Sequence, residues 1–285
     1  MVKSSGITVN AYAKINLFLE VKEKLDDGYH LLESVMQSVT LHDTIKISRS
    51  DKGVTLDCGR SPLSLTDNII IKAANAFFAR SGIKGGADIK LIKRIPIESG
   101  LGGGSADAAA TLEALNLIYG KPVNEAEMYT VAKSIGADVP FCLKKGLCLA
   151  GGIGEILTDI GKLPDCSILI SVGGSTVSTK KAFEELDLIE NREFSDSKSI
   201  ITAVENKDLA AISGSLYNCF ENINAHDSKI KDIMKECGAS GASLSGSGPS
   251  VFGIFDNENA VNRAEKKLKE LGYKAYICRP YYRSK

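Results

Sequence analysis

The sequence lacks an excess of charge of either sign. Its 285 residues include 35 lysines and arginines and 35 aspartates and glutamates, so the formal net charge is zero. Proteins that bind nucleic acid or acidic membranes usually carry a basic stretch or a basic surplus. We therefore expect no nucleic acid and no membrane among the partners, and any attraction for a charged ligand has to be local.

Long hydrophobic runs and paired cysteines are missing as well. No apolar run approaches the roughly 18 residues that can span a bilayer, and the first residues contain no hydrophobic core of a signal peptide. The seven cysteines are scattered, without a Cys-x-x-Cys pair or another spacing typical of metal ligands. These absences predict a cytoplasmic protein with reduced, mostly buried cysteines and no cysteine metal site.

A glycine-rich segment is the most informative local feature. Residues 96–110 read PIESGLGGGSADAAA, and an alanine-rich helical pattern follows the glycines at once. Glycines let a ligand approach the backbone closely, and a helix N-terminus offers unpaired N–H groups to an anion. Ser105 is followed three residues later by Ala108, so no capping box competes for these groups. The segment, called here the first glycine loop (residues 96–106), predicts a phosphate site, and a simple tight turn is the alternative.

Two common phosphate-binding motifs are absent from this loop. It has no Gly-Lys-Ser or Gly-Lys-Thr, and no acidic residue ends a second strand about 20 residues further on, as the Rossmann pattern requires. Two acidic residues, Glu98 and Asp107, flank the expected phosphate. Each is predicted to point to solvent, and the alternative is that it helps to hold Mg²⁺, which bridges phosphates in kinase-type sites.

Hydrophobic periodicity predicts strands and helices that mix without strict alternation. Residues 9–21 alternate as in a half-buried strand, which places Lys14 and Asn16 side by side on its less apolar face. Residues 30–40 show the apolar spacing of a helix. Further strands are predicted at residues 44–48, 53–58, 87–92, 167–172, 251–255 and 273–278, further helices at residues 67–81, 124–135, 229–237 and 258–271 and from the first glycine loop to about residue 119, and a polar loop at residues 173–180. The mixture indicates an α+β fold with two lobes.

Several separated motifs together resemble a known family. AYAKINLFL at 11–19, GLGGGSADAA at 100–109 and SLSGSGPSVF at 243–252 resemble the GHMP kinase superfamily. DDGYHLLESVMQSVTLHDTI at 26–45 and IGADVPFCL at 135–143 resemble, within it, the 4-diphosphocytidyl-2-C-methyl-D-erythritol kinases. The resemblance implies a two-lobed GHMP kinase fold. An N-terminal ATP-binding lobe like domain 2 of ribosomal protein S5 would cover residues 1–162, and a ferredoxin-like C-terminal lobe residues 163–285.

The resemblance also implies a reaction. ATP would phosphorylate the 2-hydroxyl of 4-diphosphocytidyl-2-C-methyl-D-erythritol, a step on the methylerythritol phosphate route to isoprenoids, with ATP and Mg²⁺ as cofactors and this diphosphocytidyl sugar alcohol as substrate. A GHMP kinase for mevalonate or homoserine is one alternative, which the Asp-Gly-Tyr-His turn argues against because those substrates carry no cytosine. A silent nucleotide-binding protein is another, which the presence of Lys14 and Asp138 argues against. A monomer and a homodimer are both compatible with the sequence.

The resemblance assigns roles to individual residues near the acceptor. Asp138 is expected to be the base, with Lys14 lowering its pKa and stabilising developing charge. Tyr29 is expected to stack on the cytosine and His30 to hydrogen bond to it, on a turn that exposes both. The remaining residues expected near the substrate are Asn16 and Thr179.

The resemblance assigns a second set of residues to the nucleotide. In related loops glycine or alanine is commoner where Ile97 and Glu98 stand. The second glycine loop, Ser245–Gly248, is expected to complete the site, and a plain hairpin connection is the alternative. The expected ATP-binding residues are Pro96, Ile97, Glu98, Ser99, Gly100, Leu101, Gly102, Gly103, Gly104, Ser105 and Ala106 of the first glycine loop, with Asn68 and Lys93 near the adenine.

Overall fold

The described chain forms two compact, discontinuous units. A computed structural model describes residues 6–59, 68–173, 178–189, 192–223 and 228–283. The predicted lobe boundary between residues 162 and 163 divides the chain only once, whereas each compact unit consists of several segments. The boundary therefore stays a prediction. Unit 1 is Met1–Ala13, His42–Ile97 and Gly102–Lys144, and unit 2 is Lys14–Leu41, Glu98–Leu101 and Lys145–Lys285.

Strands and helices of both units follow one another along the described residues. The strands are β1 (Ile7–Lys24), β2 (His30–Ser50), β3 (Val54–Asp57), β4 (Gly86–Ile92), β5 (Leu147–Gly151), β6 (Ile156–Asp159), β7 (Ser167–Val172), β8 (Tyr217–Asn218), β9 (Gly241–Leu244), β10 (Ser250–Phe255) and β11 (Lys274–Cys278). The helices are α1 (Ile69–Ser81), α2 (Gly103–Ile118), α3 (Glu125–Ile135), α4 (Val139–Lys144), α5 (Thr179–Asp187), α6 (Lys198–Glu205), α7 (Leu209–Gly214), α8 (Ser228–Glu236) and α9 (Glu258–Glu270), and a 3-10 turn covers Cys219–Asn222. This mixture confirms the predicted α+β class.

Unit 1 packs helices beside a small sheet. The last part of β2 pairs antiparallel with β4, and β3 pairs parallel with β4 on its other side. Helix α1 begins at the cap residue Asn68, whose side chain accepts the N–H of Ile70, and ends at Gly82 in a left-handed conformation. Its buried face packs against α2, and α2 packs against α3 and α4. These contacts fix α2, the helix that follows the first glycine loop.

Unit 2 contains an antiparallel sheet in the order β11-β7-β10-β9. Its strands alternate apolar residues into a core that α8 and α9 cover, with Leu169, Met234, Phe255 and Leu268 among the buried side chains. The first half of β2 pairs antiparallel with β5, β5 pairs with β6, and the end of β1 pairs parallel with β8. The sheet positions the second glycine loop, because that loop joins β9 to β10.

One predicted helix is wrong. Residues 30–40 are the first half of β2, where Val35 lies opposite Leu149 of β5. The strand is buried on both faces, since polar residues such as Gln37 and Ser38 are as buried as their apolar neighbours. A strand covered on both sides loses its period of two, and the remaining apolar spacing imitated a helix.

The strand prediction for β1 is right, but its half-buried character is wrong. Lys14, Asn16 and Glu20, on the less apolar face, are all buried. The predicted strand at residues 44–48 is only the last part of β2, and residues 179–180 of the predicted polar loop are the first residues of α5. The remaining predicted strands and helices are confirmed to within two residues. Residue 67 and residues 174–177 of the predicted polar loop lie outside the described ranges, within which no helix has the length and apolar character needed to cross a membrane.

Candidate active site

The first glycine loop ends where α2 begins. Gly102 is the cap residue, with φ at 65°, a left-handed conformation that favours glycine, and Gly103 is the first helical residue. Because the cap residue is a glycine, it has no side chain that could cap this helix. The helix therefore offers its first N–H groups and the positive end of its dipole to an anion, as the absence of a capping box predicts.

A cluster of three buried charged side chains supports this helix N-terminus. Lys93 Nζ donates to Asp43 Oδ2 at 2.5 Å and to Asp107 Oδ2 at 2.7 Å. The other oxygen of Asp43 accepts the backbone N–H groups of Arg94 and Ile95. The cluster thus ties the residues that precede the first glycine loop to the first turns of the helix that follows it.

Burial sets the ionisation of this cluster. It raises the pKa of Asp107 to about 8, against the attraction of Lys93. Burial would lower the pKa of Lys93, but attraction to Asp107 and Asp43 raises it overall. The prediction that Asp107 points to solvent is therefore wrong, because the side chain is 2% exposed and bound to Lys93. Glu98 is exposed, as predicted.

Lys14 and Asn16 form the centre of a second polar cluster, in unit 2. Lys14 Nζ donates to Asn16 Oδ1 at 2.6 Å, and the same oxygen accepts the N–H of Gly246 at 2.9 Å. Asn16 Nδ2 in turn donates to Ser34 Oγ at 2.8 Å. The prediction that Lys14 and Asn16 are neighbours on one strand face is confirmed. Asn16 also joins them to the second glycine loop, which the sequence pattern did not reveal.

The two glycine loops touch each other within unit 2. Ser245 Oγ donates to the carbonyl oxygen of Gly100 at 3.0 Å, and the N–H of Ser250 donates to that of Ser99 at 3.2 Å. A Cβ atom placed on Gly100 would lie 2.0 Å from the carbonyl oxygen of Ser245, so only glycine fits there. Thr179 is also brought to the second loop, since its Oγ1 lies 3.1 Å from Ser247 Oγ.

The turn between β1 and β2 presents Tyr29 as predicted. The N–H of Leu25 donates to the carbonyl oxygen of Tyr29, Gly28 adopts a φ of 87°, and the Tyr29 side chain is 57% exposed. His30 differs from the prediction, because its side chain is only 8% exposed. Helix α5 covers it from the other side.

Two residues of α5 hold His30 and were missed by the sequence reasoning. Asp187 Oδ1 lies 2.7 Å from His30 Nε2, and the ring of Phe183 lies 4.9 Å from the His30 ring. The available signal was the spacing of four between Phe183 and Asp187, which puts both on one helix face. No helix is predicted from the sequence over residues 179–187, so this spacing alone did not point to His30.

Asn68 and Asp138 both lie in unit 1 at the ends of helices. The side-chain oxygen of Asn68 is engaged in capping α1. Asp138 follows Gly136, the cap of α3, and its carbonyl oxygen accepts the N–H of Cys142 in the first turn of α4. Asp138 is half-buried, as expected for a side chain on a short connection. The roles expected of both residues stay predictions.

Two family models match the chain. The model of the GHMP kinases N terminal domain matches residues 68–146, and that of the GHMP kinases C terminal domain matches residues 200–274. The first match contains the first glycine loop and Asp138, and the second contains the second glycine loop. Both glycine loops described above therefore lie in regions that this superfamily shares.

Individual proteins extend the similarity over almost the whole length. A 4-diphosphocytidyl-2-C-methyl-D-erythritol kinase of Clostridium novyi (strain NT) is 38% identical over 274 residues, which cover 94% of this chain and 98% of the relative. A crystal structure of 4-(cytidine 5'-diphospho)-2C-methyl-D-erythritol kinase is 27% identical with a TM-score of 0.79, covering 97% of this chain and all of the other. Homoserine kinase from Cytophaga hutchinsonii ATCC 33406 is 21% identical with a TM-score of 0.75 over 99% of this chain and 96% of its own, which shows a shared fold alone.

Proposed function

Since the chain belongs to the 4-diphosphocytidyl-2-C-methyl-D-erythritol kinase family of GHMP kinases, we propose that it transfers the γ-phosphoryl group of ATP to the 2-hydroxyl of 4-diphosphocytidyl-2-C-methyl-D-erythritol. The products are the 2-phosphate and ADP. The observation that carries the proposal is the buried Lys14, held on Asn16 beside the second glycine loop. A protein that only binds nucleotides would have no use for a desolvated lysine arranged in this way.

The phosphates of ATP bind to the N-terminus of α2. This end of the helix combines uncapped N–H groups with glycines whose bare backbone a phosphate can approach. The cluster of Lys93, Asp43 and Asp107 holds the loop in place. Asn68 and Lys93 remain our proposed residues near the adenine, and both are already fixed by partners within unit 1.

Phosphoryl transfer then requires a nucleophile and a place for its proton. The substrate oxygen bonds to the γ-phosphorus while the bond to the ADP oxygen breaks, and the hydroxyl proton passes to Asp138. The Lys14 ammonium stabilises the negative charge that develops on the transferred group. Asn16 keeps the ammonium in position through its side-chain oxygen. Tyr29 and His30 bind the cytosine, which selects this alcohol over mevalonate or homoserine.

Mg²⁺ would bind together with ATP, through its phosphates. In the described ranges no group of three or more histidine, cysteine or acidic side chains is arranged to hold a metal ion. Mg²⁺ commonly binds through substrate phosphates, waters and one or two carboxylates. Our candidate protein ligand is Glu98, which is exposed in the first glycine loop, whereas Asp107 is buried and bonded to Lys93 through Oδ2. The ion would neutralise phosphate charge there.

An ADP-release assay tests the proposal. Release should depend on 4-diphosphocytidyl-2-C-methyl-D-erythritol, whereas mevalonate and homoserine should give only the background rate. Asp138→Asn should lower kcat by about a hundredfold or more while ATP still binds, because the proton acceptor is lost. The matched control is Asp256→Asn, an exposed aspartate far along the sequence, which should behave as wild type. Turnover of mevalonate or homoserine in preference, or full activity of Asp138→Asn, would refute the assignment.

A further inference from the structure

Two side chains of helix α5 contact the ring of His30. Phe183 and Asp187 are four residues apart, so both side chains project from the same side of the helix. The Phe183 ring covers the imidazole at a centroid distance of 4.9 Å, and Asp187 Oδ1 approaches Nε2 at 2.7 Å. The second carboxylate oxygen of Asp187 accepts from Lys24 Nζ at 2.7 Å. The contacts of Phe183, Asp187 and Lys24 around His30 are more than a side chain on the protein surface would need.

The position of Asp187 is unfavourable for helix stability alone. It is the last residue of α5, where the negative end of the helix dipole disfavours a carboxylate. Partial burial would raise the pKa of Asp187, but hydrogen bonds from Lys24 and His30 lower it overall. Asp187 is therefore ionised at neutral pH, and its stability in this position comes from these two partners.

An ionised carboxylate can only accept hydrogen bonds. The nitrogen that faces it, His30 Nε2, must therefore carry a proton, and in the tautomer with that single ring proton Nδ1 is an acceptor. Among the described residues, His30 Nδ1 makes no hydrogen bond. Cytosine presents an amino group as a donor at the position where uracil presents a carbonyl oxygen as an acceptor. An acceptor at Nδ1 can accept a hydrogen bond from the amino group of cytosine, but it repels the carbonyl oxygen of uracil.

We propose that Asp187 is a positioning residue that fixes the proton of His30 on Nε2 and thereby makes the site select cytosine over uracil. The inference rests on the proposed binding of the nucleobase at Tyr29 and His30. It adds the group that decides which hydrogen-bonding pattern the site presents. Lys24 takes part by occupying the other oxygen of the carboxylate.

Helix α5 also connects the contact between Asp187 and His30 to Thr179, which is expected near the part of the substrate that accepts the phosphoryl group. Thr179, Phe183 and Asp187 follow one another at intervals of four, so they line one helix face. The rise of an α-helix separates the first from the last by about 12 Å. Thr179 contacts the second glycine loop at one end, and Asp187 holds the base-reading histidine at the other. One rigid helix therefore spaces both substrate contacts.

Asp187→Asn is the most informative variant. The Lys24 ammonium can only donate, so it retains the amide oxygen of the new side chain and turns the amide NH₂ toward His30. Nε2 must then accept, and the imidazole proton moves to Nδ1. Nitrogen-15 NMR of the ring, assigned through His30→Gln, should show the two nitrogens exchanging their protonated and unprotonated shifts. This readout does not depend on catalysis.

Binding of cytidine 5'-diphosphate and uridine 5'-diphosphate measures the consequence. Wild type should prefer the cytidine compound, and Asp187→Asn should reduce that preference by about tenfold or more. Glu185→Gln removes the same charge from an exposed position on the same helix and should leave both the NMR shifts and the preference unchanged. Lys24→Met leaves Asp187 facing His30, so the proton should stay on Nε2 and the preference should persist.

Each other outcome contradicts the inference. An unchanged preference after the proton has moved would mean that His30 does not read the base. A lost preference without a proton shift would mean that Asp187 acts only on the local structure. Equal wild-type affinity for both diphosphates would also overturn it. If the NMR and binding results hold but the diphosphocytidyl alcohol is not phosphorylated, the proposed function fails and the base-reading inference stands.

Discussion

The two glycine loops have similar compositions but use their backbone groups differently. In the second loop the N–H of Gly246 donates to Asn16 and that of Gly248 donates to the carbonyl oxygen of Ser245. In the first loop the cap residue of α2 is Gly102, which has no side chain to bond to the N-terminus of the helix. The second loop is therefore an internal scaffold that holds side chains in place, whereas the first keeps its donors for a ligand.

The comparison shows why a glycine count is a weak guide to function. Gly100 is required because the carbonyl of Ser245 approaches it, which is a demand of the fold. Gly104 meets nothing closer than a methyl group of Ile69 at 3.7 Å from an added Cβ, so the fold does not require glycine there. A glycine that the fold does not require is the better indicator of a bound phosphate.

Gly100→Ala should have the largest effect. A Cβ would meet the Ser245 carbonyl oxygen at 2.0 Å, at a residue whose φ is +77°. Overpacking and left-handed strain together should lower the free energy of unfolding by about 4 kcal/mol. Urea unfolding measures it. Gly120→Ala is the matched control, with a φ of +82° and no atom within 4 Å, and should cost about 1 kcal/mol. Equal losses of stability in Gly100→Ala and Gly120→Ala would mean that the contact between the loops does not explain the effect of Gly100→Ala.

Lys93→Met should have the next largest effect, because it removes the support of the first loop. Asp43 and Asp107, both buried, would lose the ammonium group that donates to each of them, which should destabilise the protein by about 3 kcal/mol in urea unfolding. The double variant Lys93→Met, Asp107→Asn should be about as stable as the single one at neutral pH, since Asp107 then carries a proton and Asp43 keeps the N–H groups of Arg94 and Ile95. A double variant clearly more stable than the single one would mean that Asp107 is ionised.

Gly104→Ala sharpens the comparison because it separates fold from ligand. The residue is helical and has room for a methyl group, so the free energy of unfolding should be unchanged or rise by up to about 1 kcal/mol. The KM for ATP should rise about tenfold, because the methyl group obstructs a phosphate that approaches the backbone. Gly214→Ala, another helical glycine with open space, should leave the KM unchanged. An unaltered KM in Gly104→Ala would argue that phosphate binds elsewhere.

Asp107→Asn should have the smallest effect on stability at neutral pH, and its effect should be visible mainly as a change in pH dependence. The pKa of Asp107 is about 8 in the folded protein and about 4 in an unfolded chain. Between these values the folded state retains a proton that the unfolded state releases, so the free energy of unfolding falls as the pH rises from 5 to 8. The variant should flatten this slope in urea unfolding, whereas Asp51→Asn, at an exposed position, should not. Identical slopes in wild type and Asp107→Asn would exclude the protonated side chain.

Local patterns predicted the parts of the fold that local forces decide. The bounds of α1, α3 and α9 and the neighbouring positions of Lys14 and Asn16 all follow from residues close together in the chain. These features depend on hydrogen bonds and side-chain periodicity within a few residues. For this reason most of the predicted helix and strand boundaries agree with the structure.

The features that failed depend on distant residues. The first half of β2 was predicted as a helix because its burial comes from β5, more than a hundred residues later. Asp107 was predicted to be exposed because its partners Asp43 and Lys93 lie elsewhere in the sequence. The contact between Asp187 of α5 and His30 of β2 joins residues 157 positions apart in the sequence. Sequence motifs named the candidate site, but only tertiary contacts show which of its side chains are fixed, and by what.

The contrast between the two loops has a consequence for hydrogen exchange. The Gly246 amide is hydrogen bonded to the buried Asn16 and should exchange its proton slowly whether or not nucleotide is present. The amides of Gly103 and Gly104, at the uncapped start of α2, should exchange quickly in the free protein and slow markedly when ATP binds. The exchange rates of the Gly103 and Gly104 amides therefore report whether ATP is bound, and the rate of the Gly246 amide serves as a reference within the same protein.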